Sequence, residues 1–247
     1  MSSRDGAIDR VGPTRRPDHR VVGTQRWRDL LFLHWTFPPE VIRPLVPSEL
    51  ELDLLDGVAV VGLVPFAMEG VRPWWWPPGT GMRFLETNVR TYVVHRGRPG
   101  VWFFSLDAAN LLAVHAARTF WGLPYHHARM RLDREGDARQ YETARRGSTA
   151  RCEITARPTG ELGASAPDSD AFFLLERYLL FVARGGAIRE GQVSHAPYPV
   201  FAAEVERVED SLLAAGGVPG PLGAPTHVHW SPGVDVEIFG LRRIGIV

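Results

Sequence analysis

Apolar positions along the chain recur mostly in short runs or with a period of two, the spacing that sets one face of a β-strand against a core. The run LLFLHW, residues 30–35, reads as a strand, and the prolines of PPEVIRPLVP (38–47) limit the next segment to one or two helical turns. Asp56-Gly57 stands between two β-type runs, 49–55 and 58–66, and predicts a hairpin. The segment VRPWWWPPGTG (71–81) predicts a loop, because its prolines and glycines exclude regular structure. A second hairpin is expected from RFLETNVRTYVVH (83–95) and VWFFSLDA (101–108), the latter apolar on both faces as a central strand is.

Beyond it, Asp107 or Asn110 can cap a helix through LLAVHAARTFW (111–121), which Gly122 and Pro124 end. Strands are predicted at 125–133, 139–145 and 149–157, and a surface loop, a candidate lid, at 158–169. DSDAFFLLERY (168–178) reads as a short capped helix, and 179–184 with 188–195 as a hairpin. A strand at 198–208, a short helix at 209–217 and one or two strands over 227–241 complete the pattern. Many short strands with few helices indicate a mainly β, β-rich α+β fold, a barrel or sandwich of curled antiparallel sheets. Residues 1–24 are expected to form a flexible tail and 25–247 a single domain.

Composition narrows the function. The 28 basic and 28 acidic side chains cancel and no basic block stands out, which argues against a nucleic-acid partner. No apolar run reaches the ~18 residues of a membrane span, since Asp56, Gly57, Gly62 and Pro65 interrupt the longest. The N-terminus lacks an apolar signal segment, and one cysteine, Cys152, cannot form an intramolecular disulfide; both fit the cytoplasm. The chain contains no lysine: all 28 basic residues are arginine. A guanidinium forms no Schiff base, so among side chains the usual amine catalyst is missing.

Candidate chemistry comes from alternation and spacing. In FLETNVRTYV, Phe84, Glu86, Asn88, Arg90 and Tyr92 share one face. If that face lines an interior, Arg90 can grip a carboxylate and Glu86 can act as base; if it faces water, it is a solvated ladder. In YHHARMRLD, His126 groups with Ala128, Met130 and Leu132 and is expected inward, while Tyr125 can reach the cavity from the proline hinge and His127 points out. Burial and Glu86 are expected to push the His126 pKa in opposite directions. Arg118, three residues after His115, offers a fixed charge near the hinge or an ion pair that pins the helix. His227 and His229 share a strand face, yet no third ligand among His34, His115 and His195 is signalled by a motif, so no metal is expected. Ser105 lacks a nucleophile elbow, and no cofactor motif is present. Trp74-Trp75-Trp76 reads either as an exposed lid or partner surface or as a cover over a barrel end.

Several of these stretches together resemble a known group. FPPEVIRPLVPSELELDLLDGVAVVGLVPF and ARTFWGLPYHHARM resemble the proline-flanked N-terminal segment and the Arg-x-x-aromatic-Gly-x-Pro hinge of the acetoacetate decarboxylase-like superfamily. With FLETNVRTYV, GVWFFSLDA and SPGVDVEIF, the chain resembles its YqjF-like branch over roughly residues 26–240. The resemblance implies a β-barrel-like fold with an internal pocket for small carbonyl or carboxylate compounds, and extends to homo-oligomers. It implies two adjacent lysines after the hinge proline, where this chain has Tyr125 and His126, and it maps a pocket glutamate onto Glu86 and an arginine onto Arg118. The expectation is a small-molecule binding protein for a carboxylate or carbonyl compound, with Arg90 and Arg118 as ligand contacts and no Schiff-base chemistry. The alternative is a non-Schiff-base lyase, hydratase or isomerase using Glu86, Tyr125 and His126 as acid and base. A protein-interaction module built on the tryptophan loop is a third reading.

Overall fold

A computed structural model of the chain describes residues 8–219 and 223–244. It is mainly β, with twelve strands among the described residues in one curled sheet. The strands are β1 (Val21–Phe37), β2 (Glu51–Leu52), β3 (Ala59–Pro73), β4 (Met82–His95), β5 (Arg98–Ala108), β6 (Tyr125–Glu135), β7 (Ala138–Arg145), β8 (Arg151–Gly163), β9 (Leu179–Arg184), β10 (Ala187–Ser194), β11 (Val200–Asp210) and β12 (His227–Arg243). Short helices α1 (Pro39–Ile42), α2 (Leu111–Ala116), α3 (Asp170–Leu175) and α4 (Leu212–Ala215) decorate them.

The pairings close two rings. Strands β4, β5, β6, β7, β8, β11, β12, β1 and β3 pair in succession back to β4. Strands β5, β9, β10, β12, β1, β3 and β4 close a second, smaller ring that shares the wall β12-β1-β3-β4-β5. That wall is buried on both sides, so its alternate residues serve different interiors. Leu31, Leu33, Val61, Leu63 and Val89 pack with Tyr141, Cys152 and Ile154 on the nine-stranded side. Leu30, Phe32, Val64, Phe66 and Tyr92 pack with Phe173 and Leu174 of α3 on the seven-stranded side.

Several elements differ from the sequence reading. Asp56 and Gly57 make the expected tight turn with φ of 49° and 82°, but only Leu55 and Val58 pair across it, and β2 instead pairs with Val93 and Val94 of β4. The sheet is not wholly antiparallel: β5 runs parallel to β6 and to β9. Helix α2 crosses over between β5 and β6, and a crossover returns the chain parallel where a hairpin cannot. The predicted lid is strand through Gly163, paired with β11. The tail expected through residue 24 is anchored at several points, since Arg10 forms paired 2.7 Å bonds to the buried Asp53, Gln192 donates to the carbonyl of Pro13, and β1 begins at Val21. Residues 1–7 of that tail lie outside the described residues. The tryptophan loop is exposed, with Trp75 and Trp76 stacked at 5.6 Å and the Arg20 guanidinium 3.7 Å above Trp74.

Candidate functional site

The hinge positions the candidate residues. Asn110 caps α2 by accepting from the Ala113 amide at 3.0 Å, and the helix then widens into a π turn over Ala117–Trp121. Gly122 ends it at φ 69°, a left-handed conformation suited to glycine. Arg118 Nε donates to the Tyr125 carbonyl at 2.6 Å and the Leu106 amide to the Pro124 carbonyl at 3.1 Å, so the chain enters β6 in a fixed orientation. Arg118 therefore pins the hinge through a backbone oxygen rather than through a carboxylate.

The polar face of β4 is buried, not a solvated ladder: Glu86, Asn88, Arg90 and Tyr92 are all at most 9% exposed. Leu106 of β5 stands between Asn88 and Tyr125 in the register, which carries Tyr125 onto the same face. Its hydroxyl donates to Glu86 Oε2 at 2.6 Å, under α2, where Val114, Leu106 and Ala108 pack around the ring. Burial raises the Glu86 carboxyl to about 7 against the opposing hydrogen bonds from Tyr125 and Asn88, and the Tyr125 phenol is pushed well above its usual range by burial and the neighbouring carboxylate.

Glu86 and Tyr125 are thus brought together, and His126 is not. It is the half-buried neighbour whose Cα partner is Asp107, on the nine-stranded side. Burial lowers its pKa, Arg145 and Arg118 lower it further, and Asp107 opposes them; Glu86 does not act on it. The expectation that His126 points to Glu86 fails because strand alternation sends adjacent residues to opposite faces and the residue facing Glu86 is Tyr125.

The other end of the same face was not anticipated as a unit. Gly62 of β3 lies between His34 and Arg90 in the register, and a Cβ there would come within 3.1 Å of the His34 ring and 3.6 Å of Arg90 Cγ. His34 Nε2 lies 2.7 Å from the Tyr92 hydroxyl, which donates to the Leu174 carbonyl at 2.7 Å; Arg90 Nη2 reaches the same carbonyl at 3.2 Å. That arrangement assigns the proton of the neutral ring to Nε2. Burial, with Arg90 nearby, holds His34 well below its usual pKa. Alternation in LLFLHW, read across to β4, is the signal that could have paired His34 with Arg90. His34, His227 and His229 also face one another, yet among the described residues no group of three or more His, Cys, Asp or Glu side chains is arranged to hold a metal.

The model of the DUF2071 family, described as an uncharacterized conserved protein, matches residues 24–235. The uncharacterized protein YqjF of Bacillus subtilis (strain 168) is 36% identical over 229 residues, 92% of this chain and 94% of that one. The chain belongs to the DUF2071 family. Among solved structures, an acetoacetate decarboxylase from Legionella pneumophila superposes with a TM-score of 0.62 at 15% identity, covering 99% of this chain and 98% of that one. An acetoacetate decarboxylase-like enzyme from Sphingomonas wittichii RW1 gives 0.63 at 14% identity, over 93% and 95%. The enduracididine biosynthesis enzyme MppR, complexed with pyruvate, gives 0.63 at 12% identity, over 92% of each chain. At these identities the likeness is one of fold: this DUF2071 member has the acetoacetate decarboxylase-like fold. No helix of the described residues is long and apolar enough to cross a membrane.

Proposed function

We propose that this DUF2071 protein binds a small carbonyl or carboxylate compound on the buried face of β4, and that Tyr125 and Glu86, rather than an amine, meet its carbonyl oxygen. The observation that carries this reading is the 2.6 Å hydrogen bond from Tyr125 to a buried carboxyl raised to about 7. Near neutral pH such a carboxyl is split between its two forms; protonated, it donates a hydrogen bond beside the phenol, and ionised, it accepts a proton. The chain has no lysine for a Schiff base, so binding through hydrogen bonds is the chemistry its side chains offer. Cytoplasmic location belongs to this reading and rests on the single, buried Cys152.

The same raised carboxyl favours a second reading, a non-Schiff-base lyase, hydratase or isomerase in which Glu86 removes a proton next to the carbonyl while Tyr125 holds the oxygen. His126 has no part in it. Thermal-shift measurements with short oxo acids and their hydroxy counterparts test the binding step. The oxo compounds should raise the melting temperature of the wild type, and Tyr125→Phe or Glu86→Gln should remove that preference. A preference untouched by both substitutions overturns the site. For the second reading, solvent deuterium should enter the carbon next to the carbonyl in wild type and not in Glu86→Gln, as read by proton NMR.

A further inference from the structure

Three arginines among the described residues are buried, and they are not treated alike. Arg145 makes two 2.8 Å bonds to Asp107, and Arg177 reaches Asp53 at 2.6 Å. Arg90, 9% exposed, has no carboxylate within ion-pair distance: its bonds go to the Leu174 carbonyl at 3.2 Å and the Tyr92 hydroxyl at 3.5 Å, and its Nε has no partner. Its guanidinium lies 5.6 Å from the centre of the Phe32 ring and 5.7 Å from that of Tyr92.

Local charge does not compensate. Arg177 stacks on the same Tyr92 ring at 4.9 Å, and its one carboxylate, Asp53, is shared with Arg10. Arg177 Nη2 is also without a partner. Glu176 is committed to the Tyr178 hydroxyl and the Tyr198 amide. Asp53 therefore serves Arg10 and Arg177, and Arg90 stands beside Tyr92 with no carboxylate of its own. An unpaired buried cation costs several kcal/mol unless something neutralises it, and the uncommitted N–H groups are donors that suit an oxyanion.

We propose that Arg90 seats a carboxylate of the ligand, at the opposite end of the β4 face from Tyr125 and Glu86. This rests on the reading of that face as the binding site and adds the ligand's charge and length. Residues 86 and 90 are four apart on a strand, about 13 Å between Cα atoms, and Arg90 bonds toward Tyr92, away from Glu86. Allowing a hydrogen bond at each end, the carbonyl and the carboxylate are separated by roughly half a dozen bonds. A 2-oxo acid, whose two groups share one bond, cannot engage both ends. The ligand class is a straight-chain oxo acid with the carboxylate remote from the ketone.

The test is calorimetric titration of wild type with pyruvate, 4-oxopentanoate, 6-oxoheptanoate and 8-oxononanoate, each beside its methyl ester. In wild type, one of the longer acids should bind at least tenfold more tightly than its ester and than pyruvate. Arg90→Met, and Arg90→Gln as a second variant checked for folding by circular dichroism, should bring acid and ester together. Tyr125→Phe should weaken acid and ester alike and leave their ratio intact. Equal binding of acid and ester by wild type overturns the carboxylate seat with no variant needed, as does an acid preference that survives loss of the arginine. Pyruvate binding best overturns the length. If neither acids nor esters bind, the reading of the face as a ligand site falls with it, an outcome distinct from ketone binding without acid preference.

Discussion

The wall shared by the two rings, with β6 beside it, carries the same residue types on its two faces and uses them differently. On the nine-stranded side, Asp107 and Arg145 close a two-bond ion pair, and Thr87 and Thr143 share a 2.8 Å hydrogen bond; Ser105 Oγ and, on β12, Trp230 Nε1 are without a partner there. On the seven-stranded side, Glu86 leans on a tyrosine, Arg90 has no counter-ion, and His34 Nδ1, Asn88 Oδ1 and Arg90 Nε all lack partners. Native interiors satisfy nearly all buried polar groups, and the proposed binding site would give these three atoms their partners. The first face is held together by its polar groups; on the second, the unpaired groups are the ones the proposed ligand would engage.

The sharpest way to break that contrast is to remove a partner from the satisfied face. Arg145→Met leaves the Asp107 carboxylate, 0% exposed, without its two bonds. Loss of one member of a buried pair costs about 3–5 kcal/mol, so urea unfolding should show a drop of that size. A loss below about 1 kcal/mol would mean that water reaches the pair, and the two faces would no longer differ in kind.

Next in size is the pH dependence that Glu86 imposes. Its carboxyl is raised in the fold to about 7 from an ordinary 4.5, so between those values the folded state keeps a proton that the unfolded chain has released. Its contribution to stability is present below pH 4.5 and is lost as the pH rises through 7, a change on the order of 3 kcal/mol. The buried His195 and the half-buried His229, both held near 4 by desolvation, act with the opposite sign as pH falls, so the wild-type profile alone is a sum. The difference between wild type and Glu86→Gln isolates the contribution of Glu86: Gln should be the less destabilised of the two on going from pH 5 to pH 7.5. Parallel profiles would remove Glu86 from the titrating groups.

Tyr125→Phe probes the link between the two residues with a smaller effect. It deletes the hydroxyl that donates to Glu86 and leaves the ring against Leu106 and Val114. A stability loss of about 1–2 kcal/mol is expected at pH 7.5, shrinking at pH 5, where the carboxyl is protonated. An equal loss at both pH values would mean that the phenol contributes packing and not a bond to a charge.

How far the site was legible in the sequence depends on whether the information is local. Alternation alone put Glu86, Asn88, Arg90 and Tyr92 on one face, and the Asn110 cap and the Gly122 stop located α2, because both are set by neighbouring residues. Whether that face was wet or buried was not local: it depends on β9 and β10 closing the second ring more than eighty residues away. The inward choice between Tyr125 and His126 failed for the same reason. Apolar company at Ala128, Met130 and Leu132 favoured His126, but β6 is covered on both faces: His126 lies beside Asp107 on the nine-stranded side and Tyr125 enters the cluster under α2. His34 was visible only as a spare histidine until β3 brought Gly62 between it and Arg90.

The smallest expected effect decides most about the comparison. Arg90→Met removes a buried guanidinium of nearly the same class as Arg145, yet the consequences for the neighbours differ. No carboxylate is stranded, and the Leu174 carbonyl keeps its 2.7 Å bond from Tyr92. The methionine fills part of the space between Phe32 and Tyr92 with flexible apolar volume. Relief from burying an uncompensated charge offsets the packing lost with the longer side chain. The variant should therefore lie within about 1 kcal/mol of wild type in urea unfolding, on either side. A loss matching that of Arg145→Met would show that Arg90 is a structural anchor, and the charge it carries would then belong to the fold and not to a ligand.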